Sequence, residues 1–352
     1  YYTNSKYKES THVYTEAIEK YNIEIYPHVR GTHHLLALLF SNRAAALFMI
    51  GAYKSAVGDC RNAIKHAIDP RSSNPDLMSV DANPALWPKV YNRMARSHVK
   101  VGRVDDADNA FKEAEESASL ILRQPNGYSI PNVKDGLEQS KTDAMLGRIE
   151  VSRLRGLLDK VNAIPDRINT KTKNGRDEAT KALGHVTAAL SIASGINDLH
   201  QVKIKLLADL KRWREVASHC ERLASSNVAF DGCFVGDLSS NNPFPGVPIA
   251  KYLTADVFGK TTEDELKGAE IKLDKKASPD ALLRLPHTLM PFYLRSLRLE
   301  ERYYNSESCI NKLEKFVSER SSVVGKSIYA HFSWLSEERD KLFRTRTERE
   351  KA

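Results

Sequence analysis

Asn42, in the run FSNRAAA, and Lys89 and Arg93, in WPKVYNRMA, are the residues whose types and spacing could act together chemically. Lys89 and Arg93 stand four apart, so on a helix they point the same way. An amide, an ammonium and a guanidinium meeting in one hollow make a receptor for carboxylates: Arg offers a bidentate fork, Lys a point charge and Asn a directed donor. A chain terminus ending in an acidic residue brings two carboxylates close together and is the matching ligand. Arg96, on the same stretch, is a fourth candidate, with a plain surface role as its alternative. For Lys89 and Arg93 the alternative is a solvated helix face, and for Asn42 a cap or a bridge between helices.

Other chemistries find little support. The four cysteines, Cys60, Cys220, Cys233 and Cys309, show no Cys-x-x-Cys spacing, and no histidine pair completes a zinc site. The densest histidine pair, His33-His34, is adjacent in sequence, so its rings point apart on a helix, and no Asp or Glu stands at a ligand-forming spacing. No Gly-rich phosphate loop and no Ser-His-Asp order stands out. We therefore expect a binding protein and not an enzyme, with no catalytic residues, cofactor or metal. The net charge of +8 arises from 53 basic and 45 acidic residues that are interleaved, so no basic arm for nucleic acid is present. No apolar stretch reaches the roughly 18 to 20 residues that span a bilayer, and we expect no membrane partner. Reduced thiols suit the cytosol, or also the nucleus.

The elements that would position Asn42, Lys89 and Arg93 follow from an internal repeat. Ala44, Leu47, Gly51, Tyr53, Ala56, Cys60 and Ala63 run in the order small, large, turn, aromatic, small, large, small. Tyr91, Ala95, His98, Gly102, Val104, Ala107, Phe111 and Ala114 repeat that order one unit later. Small side chains let helix axes approach, large ones fill the space between hairpins, and glycine accepts the left-handed cap that ends each first helix. Such spacing, with a period of about 34 residues, resembles the tetratricopeptide repeat (TPR), a helical hairpin that stacks into a superhelix. Tyr1, Tyr2, Tyr7, Ser10, Tyr14 and Ala17 fit the second half of an earlier unit, and we expect its first helix to lie upstream. Cys60 and Cys220 fall at equivalent repeat positions and read as packed thiols, and His98 as a packed histidine.

The resemblance implies an all-α fold, a TPR helical-hairpin α-solenoid in two modules. Residues 1–125 form the first module, with its N-terminal repeat truncated, and 126–176 a helical linker. Residues 177–330 form a second, degenerate module, carried by Ala182, Val186, Ala189, Ile204, Leu207, Trp213, Val216, Cys220 and Leu223 and then Leu294, Leu297, Tyr303, Ser306, Ile310 and Leu313. Loops are expected at about 25–36 and 71–87, an insertion at about 224–285 with a capped helix near Thr262, Glu263 and Glu265, and a further helix or repeat from 331 to 352. Asn42, Lys89 and Arg93, on first helices of successive repeats, resemble the carboxylate clamp of TPR co-chaperones. That family holds the acidic C-terminal tails of cytosolic seventy- and ninety-kilodalton heat-shock chaperones. The chain as a whole resembles the TPR-containing J-domain co-chaperones, without the His-Pro-Asp signature of a J domain. The implied function is a co-chaperone or adaptor, with other proteins contacting the second module; the alternative is an assembly scaffold without chaperone binding. In the second module Val202, Thr288 and Phe292 stand where the clamp's Asn, Lys and Arg would be.

Overall fold

Two glycines with left-handed backbone, Gly51 at φ 81° and Gly102 at φ 76°, mark the repeating joint of the chain. The computed structural model describes residues 6–24, 34–67, 85–123, 131–165, 168–225, 290–300, 306–311, 313–315 and 334–351. Every regular element among the described residues is an α-helix. Contacts divide the chain into unit 1, residues 1–164 with 185–196, and unit 2, residues 165–184 with 197–352. The insertion at about 224–285, Cys233, Thr262, Thr288 and Tyr303 lie outside the described residues, as do Tyr1 and Tyr2.

Unit 1 is built from α1 (Tyr7–Glu24), α2 (His34–Met49), α3 (Tyr53–His66), α4 (Leu86–Lys100), α5 (Val104–Arg123) and α6 (Pro131–Asn162). Each helix packs on the next, and α4 also touches α2 and α6, its counterparts one hairpin away. The α2–α3 turn is closed by Gly51 N–H donating to Phe48 C=O and Ala52 N–H donating to Leu47 C=O. The α4–α5 turn repeats both bonds from Gly102 to Val99 and from Arg103 to His98. This paired capping needs a residue with φ above zero, which glycine supplies without a Cβ clash.

The small residues expected to set helix separation are sealed: Ala44, Ala56, Ala63, Ala95, Ala107 and Ala114 are fully buried, together with Cys60 and Phe111. Helix α4 starts at Leu86, inside the segment read as a loop to residue 87. Its Pro88 falls in the first turn, where the missing N–H would have no intrahelical partner anyway, so proline does not delay the helix.

The linker expected at 126–176 is helical over most of its length, as read, and differs in its packing. Within it, α6 is a 32-residue helix that packs on α5 and α4. Leu137, Ala144, Val151 and Leu154 are its buried stripe. Gly147 lets α6 come close: a Cβ there would sit 2.2 Å from Phe111 Cζ. Unit 1 therefore continues as a further layer where the sequence reading ends its first module at 125.

In unit 2, Thr172 accepts the Gly175 N–H at 3.1 Å, capping the start of α7 (Lys173–Ile192). Ala182 of α7 is buried, and so are Val186 and Ala189, which fall in the stretch 185–196 that belongs to unit 1. Helices α8 (Asn197–Asp209) and α9 (Trp213–Ser225) form a hairpin, α10 (Met290–Leu299) packs on α9, and α11 (Leu335–Lys351) packs on α10. The α8–α9 turn repeats the bonds of unit 1, Lys211 N–H to Ala208 C=O and Arg212 N–H to Leu207 C=O. Here Lys211, not glycine, takes the left-handed position at φ 60°. Helix α11 supplies the further helix expected after residue 331.

Candidate functional site

Three rungs join α4 to α6, and the open side of that ladder is a groove. Lys89 extends over Gly136, its Nζ 3.6 Å from where a Cβ would stand. One turn on, the Asn92 amide donates to the Ser140 carbonyl at 2.7 Å. One turn further, Arg96 pairs with Asp143 at 3.0 Å. Helix α2 supplies the opposite wall through Ala45, Phe48 and Met49, and the groove has a volume of about 430 Å³. Phe48 is held edge-on against Tyr53, with ring centroids 5.3 Å apart.

The structure brings Lys89, Arg93 and Arg96 together on this groove. Asn42 is not among its lining residues. It lies on α2 one turn before Ala45, whereas Ser41 beside it meets Arg93: Arg93 Nη1 donates to the Ser41 carbonyl at 2.6 Å and to its hydroxyl at 2.5 Å. Of the expected residues the groove thus holds the cationic row on α4, with α2 contributing an apolar wall and a Ser41 anchor for Arg93, and Asn42 stands outside its lining. Among the described residues Lys89 has no ion-pair partner and is exposed, so its ammonium is the charge most available to a ligand. Arg93 is half-buried and Arg96 exposed.

Sequence reasoning missed Asn92, Gln139, Ser140 and Asp143. Asn92 stands three after Lys89 and four before Arg96, which places it on the same side of α4 as both. The Asn92 carbonyl oxygen is buried without a hydrogen-bond partner among the described residues. The α6 residues carried no signal, because α6 itself was read as a linker.

Arg43, the cation of α2, is structural. Arg43 grips both Asp59 oxygens at 2.7 and 2.8 Å and donates to Thr15 at 3.0 Å, tying α1, α2 and α3 together. Burial pushes the Cys60 thiol up to about 12, so it stays protonated and unreactive. Burial raises the Cys220 thiol as well. His98 is lowered, by burial first.

Unit 2 buries a pair of histidines. His200 Nδ1 and His219 Nε2 lie 3.1 Å apart, both rings buried, and Arg222 Nη2 is 3.2 Å from His219 Nδ1. A guanidinium only donates, so His219 Nδ1 is the acceptor and the ring carries its proton on Nε2, which donates to His200 Nδ1. Burial, then His200, Lys203 and Arg222, push His219 down to about 3. Val202 and Phe292 are half-buried, and Arg295 stacks on Trp213 at 4.9 Å.

Among the described residues no group of three or more His, Cys, Asp or Glu side chains is placed to hold a metal ion. No helix among them is long and apolar enough to cross a membrane. Compared with known proteins, the sequence matches no family model and no curated protein.

Proposed function

We propose that this chain is a TPR-type co-chaperone or adaptor whose unit 1 groove takes the acidic C-terminal tail of a cytosolic seventy- or ninety-kilodalton heat-shock chaperone. The observation that carries the reading is the groove itself: Lys89, Arg93 and Arg96 in one row, facing an apolar wall of Phe48 and Met49. A terminal carboxylate would engage Lys89 and the Arg93 fork, and apolar side chains of the tail would lie against Phe48 and Met49. Lys89 supplies a mobile point charge, while Arg93 is held in place by Ser41 and offers its remaining donors to the ligand. The chain would act by binding alone. A short peptide loses much freedom on docking, so affinity is micromolar and weakens with salt.

Calorimetric titration tests this. A tail peptide ending Glu-Glu-Val-Asp with a free carboxylate binds, and its amidated copy does not. Lys89→Ala with Arg93→Ala lowers affinity at least tenfold with helicity unchanged, in line with the loss of charge-assisted bonds of about 1.5–3 kcal/mol each. Equal binding of both peptides removes the clamp reading.

One observation favours a second reading, an assembly scaffold. Met145, Leu146 and Ile149 on α6 are 50, 60 and 67% exposed, an apolar stripe suited to a dedicated protein partner. A pulldown that recovers one stoichiometric complex without a heat-shock chaperone supports that reading instead.

A further inference from the structure

The groove already contains a carboxylate. Asp143 uses both its oxygens: Oδ2 accepts from Arg96 at 3.0 Å and Oδ1 accepts from Gln139 at 2.9 Å. Arg96 and Gln139 both line the groove beside it, so the acid and its two donors form one set facing the place a ligand would occupy. The pair is reached by water, with Arg96 52% and Asp143 30% exposed. Ion pairs so exposed contribute little to stability, and an incoming anion can exchange with the resident one at small cost.

We propose that Asp143 is a resident counter-anion that occupies Arg96 and limits how many acidic groups the groove accepts. The proposal rests on the carboxylate-binding reading of this groove and adds to it a residue that sets ligand charge. The ladder is graded by charge as a result. At the Lys89 end no acidic side chain lines the groove and Lys89 has no ion-pair partner among the described residues, so a chain-terminal carboxylate meets an unpaired ammonium. At the Arg96 end a ligand's acidic side chain must displace Asp143 from Arg96, and the displaced carboxylate then repels it at short range. Gln139 keeps Asp143 in place during this competition, since it holds the oxygen that Arg96 does not.

Three consequences follow from that geometry. Removing the Asp143 carboxylate frees Arg96 for the ligand and removes the repulsion. Removing Arg96 alone leaves Asp143 as an uncompensated negative charge in the groove. Removing both cancels the two effects.

The experiment titrates two peptides into the whole chain by calorimetry. One ends Glu-Glu-Val-Asp, and the other has its acidic side chains replaced by amides while keeping the terminal carboxylate. Asp143→Ala, and Asp143→Asn as the variant that preserves shape, should bind the acidic peptide about five- to tenfold tighter than the wild type, and the amide peptide unchanged. Arg96→Gln should weaken the acidic peptide, and Arg96→Gln with Asp143→Ala should return it to within about twofold of the wild type. Circular dichroism checks that each variant keeps its helices. Wild-type binding with no gain, or a loss, in both folded Asp143 variants overturns the counter-anion proposal alone, because it would make Asp143 neutral or a support for Arg96. Absence of binding by the wild type and every folded variant overturns the carboxylate-binding reading and this proposal with it.

Discussion

In unit 1 the cations Lys89, Arg93 and Arg96 reach a groove open to water, whereas in unit 2 Lys203 and Arg222 press on a buried imidazole. Both units use a hairpin closed by the same pair of backbone bonds. The difference lies in what the polar groups are offered. In the groove a cation can exchange partners at low cost, which suits a ligand that comes and goes. Around His219 the partners are fixed by burial, and a change of charge there acts on folding instead. Similar helical frames thus place the same residue types on an open groove in one unit and around a buried imidazole in the other.

The contrast is most easily broken with acid. His98 in unit 1 and His219 in unit 2 are both buried and both lowered, but Asp106 opposes the shift of His98. Among the described residues no carboxylate opposes the shift of His219, which falls from 6.5 to about 3. Between those values the unfolded chain takes up a proton that folded His219 refuses, so stability falls as pH drops through the window and is fully present above it. The slope is about 1.4 kcal/mol per pH unit. A proton on Nδ1 would also face the Arg222 donor and abolish that hydrogen bond. Urea denaturation of the wild type and His219→Gln at pH 7 and pH 5 should show the wild type losing about 2 kcal/mol more than the variant. Identical losses would mean that the His200, His219 and Arg222 chain does not govern acid sensitivity.

A smaller effect sharpens the other side of the comparison. The groove depends on α6 lying close to α5, and Gly147 against Phe111 is a point where that approach leaves no room for a Cβ. Gly147→Ala forces the buried ring or the helix to move, which should destabilise the chain by about 2 kcal/mol despite alanine's better helix propensity. Phe111→Leu in the same background should recover part of the loss, since it vacates the space the methyl needs. An unchanged melting temperature for Gly147→Ala would show that α6 docks less closely than this contact implies.

What the sequence makes legible is the alternation of small and large residues. Ala44, Ala56, Cys60, Ala63, Ala95, Ala107, Phe111 and Ala114 are buried as read, because helix separation depends directly on side-chain size at those positions. The cationic row on α4 was legible for a similar reason: Lys89 and Arg93 are one turn apart on a single helix. Asn42 was harder, since its place depends on how α2 is rotated about its axis, and packing rather than local spacing decides that. The α6 stretch reads as a helical linker, and its packing as a layer is hidden because the exposed Met145, Leu146 and Ile149 blur the periodicity of its buried stripe. Gln139 and Asp143, ordinary polar residues on a helix surface, gain meaning only once α6 is laid beside α4.

The turns themselves allow the finest test. Gly51 and Gly102 adopt left-handed backbone in unit 1, and Lys211 does so at the equivalent joint in unit 2. For an L-residue this conformation places Cβ against a neighbouring carbonyl, a cost of about 1–2 kcal/mol that glycine avoids. Lys211 is exposed, so replacing it sacrifices no buried packing. Glycine does gain freedom in the unfolded chain, which offsets part of the benefit. Lys211→Gly should therefore stabilise unit 2 by about 0.5–1 kcal/mol, read as a higher midpoint in urea with an unchanged slope. Gly102→Ala should do the opposite in unit 1, because the added methyl meets both the left-handed backbone and Ile196 side-chain atoms 2.5 and 2.9 Å away. If Lys211→Gly instead lowers stability, the side chain has a role at the α8–α9 joint that relief of backbone strain does not replace, and the equivalence of the three turns is one of hydrogen bonding alone.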